Sequence, residues 1–489
     1  MMLCSHFLSF FQNVILLYYS LTLYSLFFRK DDLPLAQSHK DEEALASAPI
    51  GRLMFKLAVP SVAAQLINML YNIVDRIYIG HIPEVGQLAL TGVGVTFPIL
   101  MLISAFAAFA GMGGAPLASI RLGAGDRDSA ERILGNSLTM LLCTAAVLTL
   151  TFSAFKRPIL MAFGASEATI GYALDYISIY LLGTVFVQLA LGLNAYISAQ
   201  GKSLVAMCSV LIGAALNIAL DPVFIFIFGL GVRGAAIATI LSQAVSACWV
   251  LFFLCSRRSG LRIRPANMKP RRAVVGRIAS LGVAPFIMQS TESLVTVVLN
   301  TGLQTYGGDL YVGSLTIMQS VMQMVVLPIQ GITQGTQPIM SYNYGAGNYQ
   351  RVRATFKRLL TVTLSATVIA CLLVSSFPGT LARLFNDDPE LVALVSRVMP
   401  IFFGGIWAFG AQMACQCAFM ALGQAKTSLF LALLRKVILL VPLAILLPRI
   451  TGSVMGIYTA EPIADFLASA TTLTLFLSRR KKLLPVEGE

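Results

Sequence analysis

Gly113-Gly-Ala-Pro116-Leu-Ala-Ser119-Ile-Arg-Leu-Gly123-Ala124-Gly125-Asp126 and Gly335-Thr-Gln-Pro338-Ile-Met-Ser341-Tyr-Asn-Tyr-Gly345-Ala346-Gly347-Asn348 are one pattern written twice, 222 residues apart. The same shift carries Gly201 onto Gly423 and Gly234 onto Gly456. Val59-Pro60 and Ala284-Pro285 open the two copies, with a small difference in length. One unit has been duplicated, and duplicated membrane units commonly form two halves around a central path.

The composition supplies the medium. Of 489 residues, 57% are hydrophobic and 12% charged, and the mean hydropathy is +0.79. Apolar runs long enough to span a bilayer, about 20 residues each, recur throughout. The first half offers 57–80, 92–118, 133–155, 171–196, 203–228 and 234–255. The second offers 280–303, 311–340, 358–379, 391–418, 428–447 and 455–477. The sequence predicts an all-α membrane protein of 12 transmembrane helices in two six-helix bundles. Six spans return to their starting side, so both halves insert the same way up. Their relation is then a pseudo-twofold along the membrane normal. The divisions are an N-lobe over 49–256, a basic cytoplasmic linker over 257–278, a C-lobe over 279–478 and a cytoplasmic tail over 479–489.

The net charge of +13 is placed unevenly. One set of loops holds Arg121, Arg127, Arg132 and Lys202, the run from Arg257 to Arg277, the cluster Arg351, Arg353, Lys357 and Arg358, and the tail from Arg479 to Lys482. The other set holds little beyond Lys156, Arg157, Arg233, Arg383 and Arg449. This bias puts both ends of the repeat in the cytoplasm and argues against a nucleic-acid partner. The eight Cys are scattered without disulfide or metal spacing. Residues 1–48 lie outside the repeat: Leu3 to Phe28 is apolar but interrupted, and reads either as an extra helix or as a start-site artefact.

Ionisable residues within spans are costly and are functional candidates by default. Ser61, Gln65, Asn68, Asn72 and Asp75 form one face of the first helix. Asp75 either contributes to a site or caps its helix beside Arg76. Asn217 and Asp221 share a face of the fifth helix, and Pro222 loosens the backbone there. Carboxylate, amide and freed carbonyls suit sodium or a proton. Thr239 and Gln243 add oxygens on the sixth helix; the alternative is a hydrogen-bonded cluster that only packs the lobe. Glu292 lies near mid-span of the seventh helix with Gln289 and Thr296 on its face. Gln319 and Gln323 head a glutamine row on the eighth, among methionines suited to ligands of varied shape. Glu461 and Asp465 are an i, i+4 acid pair on the twelfth, which must be protonated or paired. Arg435 and Lys436 on the eleventh are either the partners or snorkel to the surface.

Enzymatic chemistry finds no catalytic set. Gly201-Lys202-Ser203 lacks the first glycine of a phosphate loop, because position 196 is Tyr. Gly123-Ala124-Gly125-Asp126 cannot be a protease motif when its duplicate ends in Asn348, and His6, His39 and His81 are dispersed.

Asp75 followed by Gly80, the two Gly-Ala-Gly-Asp/Asn loops, Asn217 through Asp221-Pro222, and Glu461-Pro462-Ile-Ala-Asp465 together resemble the multidrug and toxic compound extrusion (MATE) family, bacterial branch, over about 50–480. The resemblance implies a multi-pass transporter of the bacterial inner membrane, with a V-shaped pair of bundles that open alternately to the two sides. It implies export of hydrophobic organic cations by antiport with sodium or protons, no other cofactor, and a monomer in the bilayer. It places a cation site, for sodium or a proton, at Asp75, Asn217, Asp221 and Thr239. Gln65, Asn68, Asn72, Gln243, Gln289, Glu292, Gln319, Gln323, Glu461 and Asp465 line a substrate or proton path. Some relatives pair the seventh-helix acid with a tenth-helix Asp, where this chain has Gln412 and Gln416. The alternative within the wider superfamily is a lipid-linked oligosaccharide flippase, which should present basic residues to phosphate. Energetics favour the exporter: an inward-moving cation gains ~2.3 kcal/mol per 100 mV, and stripes rich in acids attract cations.

Overall fold

Prolines and glycines inside the apolar runs bend helices without ending them, because neighbouring helices re-satisfy the freed backbone groups. The computed structural model describes residues 42–385 and 388–485. Residues 1–41 of the N-terminal extension lie outside the described residues. Nine described helices are long and apolar enough to cross a membrane, and two bent pairs each supply one more span. The twelfth is Met455–Leu483, whose hydropathy is lowered by Glu461 and Asp465.

In the N-lobe these are α1 (Ile50–Gly80), α2 (Gly86–Gly123), α3 (Arg127–Ala162), the bent α4 (Ile170–Leu182 with Thr184–Ala199), α5 (Ser203–Ile227) and α6 (Gly231–Cys255). The C-lobe repeats them as α7 (Arg272–Gly307), α8 (Asp309–Gly345), α9 (Tyr349–Ser376), the bent α10 (Pro389–Phe402 with Ile406–Ala421), α11 (Ala425–Thr451) and α12 (Met455–Leu483). The bends, 58° in α4 and 50° in α10, fall at matching places in the two copies. α7 begins at Arg272, inside the stretch assigned to the linker. The linker is also seated on the N-lobe. Asn136 donates to Asn267 O (3.1 Å), Thr139 to Met268 O (2.6 Å), and Gln200 Oε1 accepts from Gly260 N (2.8 Å).

The duplicated loops explain their own sequence. Asp126 caps α3 by accepting from Ser129 N (3.1 Å), and Asn348 caps α9 by accepting from Arg351 N (3.1 Å). Either side chain serves an N-cap, so the acid need not be kept. The Ser129 hydrogen bonds hold the exposed Asp126 carboxyl below its ordinary pKa. Gly125 and Gly347 take φ of 75°, where a Cβ is strained.

Gly123 and Gly345 serve a different purpose. A Cβ on Gly123 would lie 1.8 Å from Tyr342 O, and one on Gly345 would lie 1.8 Å from Ile120 O. Such a reciprocal contact is the signature of a twofold axis. Likewise Gly113 of α2 meets Ile278 and Gly282 of α7, while Gly335 of α8 meets Leu57 and Ala58 of α1. Thus α2 packs on α7 and α8 on α1, and these four helices form the interface between lobes.

The interface occupies the half nearest the basic loops. It runs from Gly123 and Gly345 to the Gln65–Gln334 hydrogen bond (3.0 Å) and the Phe106–Phe286 ring pair (4.8 Å). Farther along the same helices, Asn72, Ile73, Glu292, Leu294 and Gln323 are exposed. Amides and a carboxylate exposed at membrane depth require water, so the lobes part there around a wet cleft. At the closed end residues 42–48 cross between the lobes. Glu42 pairs with Arg127 (2.6 Å), Leu45 packs beside Gly201, and Leu45 O accepts from Asn343 (2.9 Å) and Arg351 (3.1 Å).

Candidate functional site

α1, α5 and α6 bring four of the sequence candidates together. Asn217 and Asp221, one turn apart on α5, are both buried. Asn217 Nδ2 donates to Asp221 Oδ1 (3.2 Å) and to Thr239 Oγ1 (3.4 Å), and Thr239 Oγ1 donates to Ala235 O (3.0 Å). This arrangement fixes the amide, since the reversed orientation would set its oxygen against a carboxylate. It also leaves Asn217 Oδ1 turned away from both partners.

Asp75 lies close enough to Asp221, Tyr71 and Tyr176 for its charge to act on each. Arg76, the neighbour that would have made Asp75 a capping residue, instead stacks over Phe97 at 5.0 Å. Asp75 Oδ1, Asn217 Oδ1 and Asp221 Oδ2 are therefore all buried oxygens without a hydrogen-bond partner. Unpaired acceptors cost about 1–3 kcal/mol each, more when charged. Two carboxylates in one low-dielectric site need a compensating proton or cation. Oxygen donors of this kind fit a hard monovalent cation.

Beside the cluster a partly open cavity of about 40 Å³ continues inside the N-lobe, lined by Asn68, Tyr71, Asn194, Ser209, Gln243 and Ser246 together with Asn217 and Thr239. Asn194, Ser209 and Ser246 had no sequence signal, being single polar residues in apolar runs. The polar row of α1 divides its duties accordingly. Gln65 bonds to the other lobe, Asn68 lines the cavity, Asn72 donates to Asn68 O (2.6 Å), and Ser61 donates to Leu57 O (3.0 Å).

The C-lobe candidates form a separate group. Arg435 donates to Glu461 (2.7 Å) and Asp465 (2.5 Å) and lies over the Phe409 ring at 4.7 Å. Lys436 pairs with Glu292 and donates to Met288 O (2.9 Å). Both bases are thus partners of the acids, and neither snorkels. Glu292 itself is 63% exposed on the cleft side of its pair. Gln319 donates to Thr296 (3.4 Å), while Gln323 is exposed and Gln289 partly buried. Gln416 donates to Ser428 O (3.2 Å), and Gln412 and Gln416 are buried where a tenth-helix acid would stand.

Two parallel six-helix lobes, closed at one end and parted around a polar cleft at the other, are the architecture of a multi-pass membrane transporter. The MatE family model matches residues 60–223 and 285–446, one span in each lobe, and the chain belongs to the MATE family of multidrug efflux transporters. Among curated relatives it is similar to the multidrug export protein MepA of Staphylococcus haemolyticus (strain JCSC1435), 26% identical over 434 residues, covering 88% of this chain and 95% of the relative. Among solved structures it matches a MATE in the bent conformation, with TM-score 0.84 and 24% identity over 91% of this chain and 98% of that one. It also matches an outward-facing multidrug resistance MATE family transporter of the MOP superfamily, with TM-score 0.83 and 22% identity over 93% and 99%. These likenesses confirm the fold predicted from the repeat.

Proposed function

We propose that this protein exports hydrophobic organic cations by antiport, driven by inward movement of sodium or a proton bound at Asp75, Asn217, Asp221 and Thr239. The observation that carries the reading is the set of three unpartnered buried oxygens, on Asp75, Asn217 and Asp221, inside the N-lobe. Buried oxygens that lack a partner within the protein call for a bound proton, ion or water. In this reading the closed end, which carries the basic loops, lies on the cytoplasmic side of a bacterial inner membrane and the cleft opens outward, as the positive-inside bias supports. An ion entering from outside meets Asp75 near the outer end of α1, and then Asp221 and Asn217 deeper in. Binding there joins α1 to α5 and α6, which gives the ion a differential affinity for one arrangement of the lobes. The cargo would be held in the cleft by Glu292, Gln323, Gln319, Gln289 and Asn72, acids and amides without an unpaired base among them. That polarity favours organic cations over phosphate-bearing lipids. The protein is proposed to act as a monomer.

The test is dye export from proteoliposomes with pH and sodium gradients imposed separately. One of the two gradients should drive export in the parent protein, and Asp75→Asn or Asp221→Asn should abolish it while leaving the amount of inserted protein unchanged. Full gradient-driven export in both variants would refute the N-lobe site.

A further inference from the structure

The repeat assigns each residue of the N-lobe cavity a counterpart in the C-lobe. Up to Leu434, where α11 enters its π-helical turn, the 222 shift holds, with both helices starting at matching serine and alanine positions, 203 and 425. Gly213 and Ala214, which line the N-lobe cavity, correspond to Arg435 and Lys436 at the start of that turn. Thr239 and Gln243, on the opposite wall, correspond to Glu461 and Asp465. One lobe therefore has two small residues facing a hydroxyl and an amide across an open space. The other has two long bases facing two acids, and the space is filled.

We propose that the C-lobe contains a monovalent-cation site which the chain occupies with its own Arg435 guanidinium. The coordination supports this reading directly. Arg435 Nη2 contacts Glu461 at 2.7 Å, Nε contacts Asp465 at 2.5 Å, and Phe409 supplies a cation–π face at 4.7 Å. Carboxylates and an aromatic face are the surroundings that bind guanidinium ions. The side chains of Arg435, Glu461 and Asp465 are 13, 8 and 1% exposed, so the group is dry. One further oxygen, Asp465 Oδ2, is buried without a partner, so the acids offer more acceptors than the guanidinium uses. Removing the tether while keeping the acids leaves a vacancy of matched shape and charge. The resident cation also bars a transported ion from this lobe, which confines ion movement to the N-lobe. Only that last clause rests on the proposed N-lobe site.

The experiment is thermal unfolding of purified protein in low-millimolar guanidinium chloride against choline chloride at equal ionic strength. Arg435→Ala should melt a few degrees higher in guanidinium than in choline, as expected for a ligand that binds only the folded state. The parent protein, with its site filled, should show no difference. Arg435→Ala combined with Glu461→Gln and Asp465→Asn, which removes the acids, should also show none. If Arg435→Ala does not fold, Arg435→Ala with Glu461→Gln keeps Asp465 as a single acid and carries the same expectation. Absence of a guanidinium-specific shift in these acid-retaining variants overturns the proposal, as does an equal shift in the acid-free variant. Repeating the measurement with Asp221→Asn separates the two lobes. A retained guanidinium shift alongside lost ion-driven export supports both sites, and a shift lost with Asp221 would place the guanidinium in the N-lobe and overturn the C-lobe proposal.

Discussion

Gly345→Ala should act on the equilibrium between conformations and leave the fold intact. The new Cβ would lie 1.8 Å from Ile120 O, whereas ordinary contact begins near 3.4 Å, so the basic ends of α2 and α8 must separate by the difference, 1.6 Å. The obstacle is backbone, which cannot swing aside like a side chain. Overpacking of this kind costs ~1–3 kcal/mol, equivalent to a shift of about 5- to 150-fold away from the conformation closed at the basic end. Alanine's better helix propensity applies in every conformation and cancels. The assay is the labelling rate of Asn72→Cys by a membrane-impermeant maleimide added from outside, with the exposed Cys143, Cys248 and Cys255 replaced by Ser. Gly345→Ala should slow labelling by up to that factor, the full factor applying where the outward-open conformation is the minor one, and Gly123→Ala should match it because the contact is reciprocal. The double variant should fall well short of the product, since one separation relieves both clashes. Gly125→Ala and Gly347→Ala are the controls. Nothing lies within 4 Å of either position, so their cost of ~1–2 kcal/mol comes from φ alone and lowers stability without altering labelling. A parental labelling rate in Gly345→Ala at parental melting temperature would refute the close-approach argument.

Glu292→Gln should reduce export of organic cations and also lower the melting temperature. It strands Lys436, 9% exposed, at a cost of about 1–2 kcal/mol, below the ~3–5 of a fully buried pair because Glu292 is itself exposed. Adding Lys436→Met should restore the melting temperature but not export; recovery of both would make Glu292 structural. Asp126→Asn should lower melting only slightly at neutral pH, because the amide keeps the cap that Asn348 provides in the other half but loses the carboxylate's charge beside Arg121. Asp126→Ala should lower it, and this difference from the parent should fade only as pH drops through the depressed range of the Asp126 carboxyl, since a depressed group stabilises above that range and loses its effect below it. Arg351→Ala removes donors to Leu45 O and Ala48 O in the segment joining the lobes, and should slow outside labelling of Asn72→Cys as Gly345→Ala does. Unchanged labelling would make that segment a passive cover.

How far the sequence reaches is decided by what each residue depends on. Turn glycines, caps and the shared face of Asn217 and Asp221 were legible because they depend on spacing along one helix, or on a backbone geometry repeated in both halves, whereas Thr239, on another helix, joined them only through the resemblance. The partners of Glu461 and Asp465 were not, because Arg435 snorkelling outward and Arg435 turned inward have the same sequence pattern. The choice depends on the rotation of α11, and there the regular period fails. Gly234 packs on the backbone at Phe224 and Ile225, whereas its counterpart Gly456 packs at Leu447 and Pro448, one residue beyond the 222 shift. α5 has its own π-helical turn at Val223–Ile227, after Asp221, whereas in α11 the turn comes earlier, at Leu434–Leu440, and the extra residue it absorbs moves the register of the positions that follow by one. Beyond the turn the counterparts of Asn217 and Asp221 are therefore Leu440 and Ala444, not the Leu439 and Leu443 that strict repetition supplies. Leu440 and Ala444 are 2 and 4% exposed, packed in the apolar core of the C-lobe. No acid on α11 faces the C-lobe pair in either register, and the charges that helix brings there are the adjacent bases of its π turn, Arg435 on Glu461 and Asp465 and Lys436 on Glu292. The symmetry of the scaffold and the difference between the lobes thus have separate causes: the turn glycines are kept in both halves, while the polar residues of α5 have apolar counterparts on α11 in either register.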